Sequence, residues 1–136
     1  MKATAPAPAR LDAAPRIAPR LLTPRWAVVL AACWPAVTAV CVALEPAAQG
    51  EAGAVGNVIG AVFFGLLLVT AGAAAGLRPE AVRWAAFAGL GAAAMTMACP
   101  LTAHHTAVGI WWAGQWAAVV AGAAVTLAAH RSLRAG

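Results

Sequence analysis

The stretch Ala52–Leu77, AGAVGNVIGAVFFGLLLVTAGAAAGL, runs for 26 residues without a charged side chain. A helix needs about 20 predominantly apolar residues to cross the hydrocarbon core of a bilayer, so this stretch predicts a transmembrane helix. The composition of the whole chain agrees with this prediction. Of its residues, 63% are apolar and 10% are charged, whereas soluble domains carry about 25% charged residues.

Three further apolar segments accompany this one, which is the second of four along the chain. They lie at about residues 26–44, 80–99 and 107–129. Pro35 predicts a kink in the first segment, and Pro100 is expected to end the third. We therefore predict an all-α integral membrane protein, a four-transmembrane-helix bundle formed as one domain by residues 26–130.

Small residues recur at helical spacing in two of the segments. Gly72 and Gly76 are four residues apart in the second, and Gly114, Ala118 and Gly122 repeat at the same interval in the fourth. This spacing lets a neighbouring helix approach closely within a membrane. Gly and Ala faces are thus expected to line the bundle, with Leu, Val and Phe turned to lipid.

The basic residues predict the orientation in the membrane. Residues 1–25 contain five prolines and five cations, which predicts a disordered basic tail, and residues 131–136 form a second, short tail. All nine Lys and Arg residues fall in these tails or beside the turn between the second and third segments, and none lies in the 45–51 or 100–106 loops. The excess of cations on cytoplasmic loops then predicts a multi-pass protein of the cell membrane with both termini cytoplasmic.

The same distribution excludes one class of partner. The net charge of +5 is a topology signal and not a nucleic-acid surface, because the cations are not gathered on a soluble fold. The lipid bilayer is the expected partner. A homo-oligomer or a larger membrane complex is expected as well.

Most of the chemically distinctive residues lie between Met95 and Trp116, in MTMACPLTAHHTAVGIWWAGQW. In the predicted topology they meet other polar residues at the outer side of the membrane. The predicted pocket consists of Cys41, Asn57, Trp111, Trp112 and Gln115, next to Cys99 and the two histidines. An amide in hydrocarbon costs several kcal/mol without a partner, so Asn57 and Gln115 are expected to face inward. Pro100 is expected to free backbone carbonyls that can accept hydrogen bonds there.

A soft-metal site is the first functional hypothesis for this pocket. Met95 and Cys99 are four residues apart and share a helix face, while His104 or His105 can fold back from the loop. Thioether, thiolate and imidazole ligands together favour Cu(I). Met97 points away from that face. In the competing interpretation the methionines fill gaps in the bundle and the histidines are ordinary loop residues at the interface.

The cysteines support a second hypothesis. Cys41 and Cys99 are expected at similar depth near the outer side, where they are either bridged or able to form a disulfide. Cys33 lies about 12 Å deeper along the first helix and is expected to stay reduced. A catalytic thiol pair would normally show a Cys-x-x-Cys motif, which the chain lacks.

Other functional classes remain open at this stage. The short loops and small-residue helix faces also fit a non-catalytic accessory or assembly subunit of a larger membrane complex. A small oligomeric transporter and a thiol-redox membrane protein are further alternatives, although no segment carries the mid-membrane charge that usually marks an ion path. No catalytic residue is identified, and a non-enzymatic role is favoured.

Overall fold

The computed structural model describes residues 21–47, 50–51, 53–101, 105 and 108–135. Within them the chain forms four α-helices and no strand: α1 (Pro24–Leu44), α2 (Gly53–Ala75), α3 (Ala81–Leu101) and α4 (Ile110–Ala135). Each helix is long and apolar enough to cross a membrane. The predicted all-α architecture with four helices of spanning length is confirmed.

The helix bounds differ from the predicted spans mainly at the ends of the chain. α1 begins at Pro24, and α4 continues to Ala135, beyond the predicted end at residue 129. α3 contains Pro100 and ends one residue after it. Of the predicted disordered tail at residues 1–25, Pro24 and Arg25 belong to α1 instead, whereas residues 1–20 lie outside the described residues and stay a prediction.

The start of α1 is attached to the turn between α2 and α3. Thr23 caps the helix, with its Oγ1 accepting a hydrogen bond from the backbone nitrogen of Trp26 at 3.4 Å, and Pro24 follows in the first turn, where its missing N–H costs nothing. The backbone nitrogen of Leu22 donates to the carbonyl of Leu77 at 2.9 Å. Because Leu22 is also only 1% exposed, the folded unit includes the residues just before α1.

These contacts define the two ends of an antiparallel bundle. We call the end that holds Leu22, Leu77 and the last turns of α4 the terminal end. The opposite end, which holds Glu45, Leu101 and His105, is the loop end.

The centre of the bundle is built around Trp34 of α1, which is 1% exposed. A methyl group at Gly89 of α3 would lie 2.6 Å from its ring, and one at Gly122 of α4 would lie 3.0 Å from it. The absence of side chains at these two glycines therefore makes the slot for the indole. Four alanines spaced along α3 are buried as well, namely Ala81, Ala85, Ala88 and Ala92.

The predicted small-residue interior is wrong for α2. A side chain at Gly60, Gly65 or Gly72 would meet no atom within 4 Å, whereas Phe63 and Thr70 are buried. Each residue of a helix turns by about 100°, so Gly65 and Gly72, two positions after Phe63 and Thr70, lie on the opposite face. Gly65 and Gly72 thus face outward, and Phe63 contributes to the interior instead.

Candidate functional site

Glu45 is the centre of a polar cluster at the loop end. It directly follows the last residue of α1. Its Oε1 lies 2.6 Å from Nε2 of His105 and accepts a hydrogen bond from Sγ of Cys99 at 3.7 Å. The His105 side chain is 2% exposed and that of Glu45 is 24% exposed. One carboxylate oxygen therefore joins α1, the end of α3 and the loop that follows it.

The paired tryptophans of α4 have different partners. The ring of Trp111 contacts His105 edge-on, with the ring centroids 5.0 Å apart. Trp112 packs edge-on against Trp116 at 6.0 Å, and its Nε1 donates to the carbonyl of Thr96 on α3 at 2.9 Å. The two rings have different partners because adjacent helix residues point about 100° apart. Trp111 covers the imidazole, and Trp112 fastens α4 to α3.

Gln115 lies inside the bundle, as predicted, and is 3% exposed. Its Nε2 donates to the backbone carbonyl of Cys41 at 3.1 Å, and Sγ of Cys41 donates to the backbone carbonyl of Gln115 at 4.0 Å. Oε1 of Gln115 is buried and has no hydrogen-bond partner within the described residues. A buried acceptor of Gln115 is therefore unpaired in the described structure.

A small cavity of about 60 Å³ lies below the cluster. Its polar and sulfur-bearing lining consists of Thr38, Cys41, Glu45, Met95, Thr96, Cys99 and Gln115, and the remaining wall is Val37, Val42, Phe63 and Ala92. This volume has room for a few water molecules or one ion. The cavity thus collects two thiols, a thioether, a carboxylate and an unpaired amide oxygen.

The structure brings most of the predicted site residues together. Met95, Cys99, Cys41 and Gln115 line one cavity, and His105 joins them through Glu45. Met97 is 42% exposed, in agreement with its expected direction. His104 lies outside the described residues, so its predicted role stays a prediction.

Asn57 does not join the pocket, and the prediction that it faces inward is wrong. Its side chain is exposed on α2. Six residues separate it from the buried Phe63, which places it about 120° away around the helix. α2 begins at Gly53, so Asn57 is only about 6 Å from the helix end.

Glu45 is the site residue that the sequence reasoning missed. One signal could have identified it, because it is a carboxylate that directly follows an uncharged span on the same predicted side as the histidine pair. A buried imidazole needs a hydrogen-bond partner for the same reason that the amide of Gln115 does.

All three cysteines are free thiols. Cys41 and Cys99 are not bridged, although both line the same cavity. Cys33 lies deeper, and its Sγ donates to the carbonyl of Gly122 at 3.7 Å. It is a reduced residue packed between α1 and α4, as predicted.

The candidate donor atoms are not arranged as a metal site in the described structure. Among the described residues, the His, Cys and acidic side chains form no group of three arranged to hold a metal ion. Glu45 instead occupies the space between the thiol of Cys99 and the imidazole of His105.

Comparisons of the chain with protein-family models, curated proteins and solved structures find no match. The class of protein is therefore inferred from the fold and the site alone. Four apolar helices of spanning length are compatible with a multi-pass membrane protein.

Proposed function

We propose that this chain is a multi-pass protein of the cell membrane, with both termini cytoplasmic, that binds a soft metal ion such as Cu(I) at its loop end. One observation carries the proposal, namely that Sγ of Cys99 and Nε2 of His105 both lie against the same oxygen of Glu45. The orientation is supported by charge. The described cations at the terminal end are Arg25, Arg78, Arg83, Arg131 and Arg134.

A modest rearrangement would complete the site. Because both atoms contact one oxygen, the Cys99 sulfur and the His105 nitrogen are at most about 6.3 Å apart, the sum of the two contacts. With metal–ligand bonds like those of zinc, a bridging metal holds a thiolate and an imidazole about 3.5 Å apart in tetrahedral geometry and at most about 4.3 Å apart in linear geometry. An approach of about 2–3 Å from the upper limit therefore suffices.

Glu45 has a defined role in this arrangement. Metal-bound histidines commonly donate their second ring nitrogen to a carboxylate, which fixes the orientation of the ring. The carboxylate of Glu45 would move from Nε2 of His105 to Nδ1–H of the same ring, so that Nε2 keeps facing Cys99 and is free to bind the metal. Cys41 and Met95 line the same cavity and supply further soft donors, a set that favours Cu(I) over harder ions.

The decisive experiment measures Cu(I) affinity of the purified protein under anaerobic, reducing conditions, by competition with a chromophoric chelator. Cys99→Ser and His105→Ala are expected to weaken binding more than about 10-fold, and Glu45→Gln by about 10-fold or more, as for a group that orients a ligand. Cys33→Ser is the matched control, because this thiol lies outside the cavity lining. Equal losses in Cys33→Ser and Cys99→Ser, or no Cu(I) binding by the wild type, would contradict the proposal.

A second candidate function is a non-catalytic accessory subunit of a larger membrane complex. It is favoured by the outward glycines of α2, since Gly65 and Gly72 are seven residues apart with open space at both. Two glycines on one side of a helix allow close approach of another helix. The free cysteines give no added support to the thiol-redox alternative, and no observation favours a transporter.

Purification from native membranes in a mild detergent tests this second candidate. A stoichiometric partner that is lost in the double variant Gly65→Leu/Gly72→Leu, and kept in Val120→Leu on the exposed face of α4, would support it. Recovery of the wild type as a monomer would contradict it. Recovery of only a second copy of this chain would replace the larger complex with a homo-oligomer.

A further inference from the structure

A second cavity lies on the outer surface of the bundle, in the groove between α3 and α4 on the side of the terminal end. Its volume is about 520 Å³. The groove is lined by Trp34, Val82, Arg83, Ala86, Gly89, Leu90, Ala93, Val119, Ala123, Thr126, Leu127 and His130. Nearly all of this lining is apolar, and the two basic residues are found only where the groove reaches the terminal end.

The length of the groove corresponds to one leaflet of a bilayer. From Arg83 to Ala93 along α3 is about 15 Å at 1.5 Å per residue, and from His130 to Val119 along α4 is about 16 Å. The hydrocarbon core of a bilayer is about 30 Å thick. The groove therefore extends from the headgroup level to about the middle of the membrane.

The basic end of the groove can bind an anion. Arg83 is exposed and His130 is half-buried, and within the described part of the chain neither forms an ion pair with an acidic residue. A guanidinium can bind two oxygens of one phosphate, and an imidazole can add a further donor. The same groove thus offers an apolar channel and, at its mouth, the guanidinium of Arg83 together with the imidazole of His130.

We propose that this groove binds one phospholipid with an anionic headgroup. One acyl chain lies along the groove over Trp34 and Ala123, and the phosphate is held between Arg83 and His130. The site is distinct from the loop-end pocket and does not depend on the function proposed for it.

Native mass spectrometry of the protein released from mixed phosphatidylglycerol and phosphatidylcholine nanodiscs tests this proposal. The wild type is expected to retain one phosphatidylglycerol in preference to phosphatidylcholine. A cation near an anionic lipid surface contributes about fivefold in affinity, so Arg83→Gln/His130→Gln, which removes that cation and the imidazole donor, should lower retention by about fivefold or more. Arg131→Gln removes an exposed cation that does not line the groove and should retain the lipid.

A second variant separates a bound lipid from loose attraction to the headgroups. Ala123→Phe fills the groove and keeps both basic residues, so it is expected to lose the lipid as well. Equal loss in Arg131→Gln, or retention in Ala123→Phe, would overturn the proposal. Each variant is first shown by circular dichroism and thermal unfolding to be folded.

Discussion

The indole Nε1 of Trp112 donates a hydrogen bond to the backbone carbonyl of Thr96 at 2.9 Å. Thr96 lies four residues before Pro100, and a proline has no N–H to offer the carbonyl one turn earlier. The side chain of α4 therefore satisfies an acceptor that the proline leaves open in α3. This bond confirms the expectation that Pro100 frees a carbonyl at the loop end.

Trp112→Phe is expected to lower the free energy of unfolding by about 1 kcal/mol, because interhelical hydrogen bonds in membranes contribute about 0.6–1.7 kcal/mol. Unfolding by SDS in mixed micelles measures the change. Trp116→Phe is the matched control, since the Nε1 of Trp116 is buried without a hydrogen-bond partner in the described structure. An equal or larger loss in the control would contradict this role for Trp112.

Pro100→Ala tests the origin of the same bond. The alanine restores an N–H that competes for the Thr96 carbonyl, so Trp112→Phe should cost less in the Pro100→Ala background than in the wild type. A double-mutant cycle measures this coupling. A coupling energy of zero would mean that the open carbonyl is not what Trp112 stabilises.

Gly89→Ala and Gly122→Ala are each expected to destabilise the bundle by about 1–3 kcal/mol, the usual cost of overpacking a well-filled interior. The new methyl groups would lie 2.6 Å and 3.0 Å from the ring of Trp34, which is confined between the two helices and cannot move away. Gly72→Ala is the control, because its methyl group meets no atom. It should be neutral or stabilising by up to about 1 kcal/mol through helix propensity. Thermal unfolding in detergent measures the stability of the three variants. A larger loss in Gly72→Ala than in the other two would show that Trp34 is not tightly confined at these glycines.

Glu45→Gln is expected to destabilise the loop end by about 1–3 kcal/mol, because it weakens the charged hydrogen bond to a buried imidazole. Glu51→Gln in the same connection is the control, since Glu51 is exposed and no ion pair involves it among the described residues. Hydrogen exchange at the ends of α1 and α3 locates the effect. Similar changes in both variants would indicate a general effect of loop charge.

The orientation can be tested with single cysteines placed in a variant whose three native cysteines are replaced by alanine. Glu51→Cys is expected to react with a membrane-impermeant maleimide added to intact cells. Ser132→Cys, near the end of α4, should react only after permeabilisation. Labelling of Ser132→Cys in intact cells would reverse the proposed orientation, and with it the outward opening of the pocket.

The sequence predicted the parts of this structure that depend on local content. Four spans follow from runs of apolar residues, and the grouping of Cys41, Cys99 and Gln115 at one end follows from depth along those spans. The inward direction of Gln115 followed from the cost of an unpaired amide in hydrocarbon. The same argument failed for Asn57, because an amide about one turn from a helix end can reach the headgroup level.

By itself, the sequence determined the number of helices and the position of each residue along its helix, since both are properties of a single segment. Only the tertiary structure decided how far each helix is rotated about its axis. With about 100° between adjacent residues, packing a different side of α2 inward exchanges Gly65 for Phe63, and no local signal distinguishes the two. The contacts of Glu45 with Cys99 and His105 were also decided by the tertiary structure, because they join α1, the end of α3 and the following loop, and no single segment contains all three.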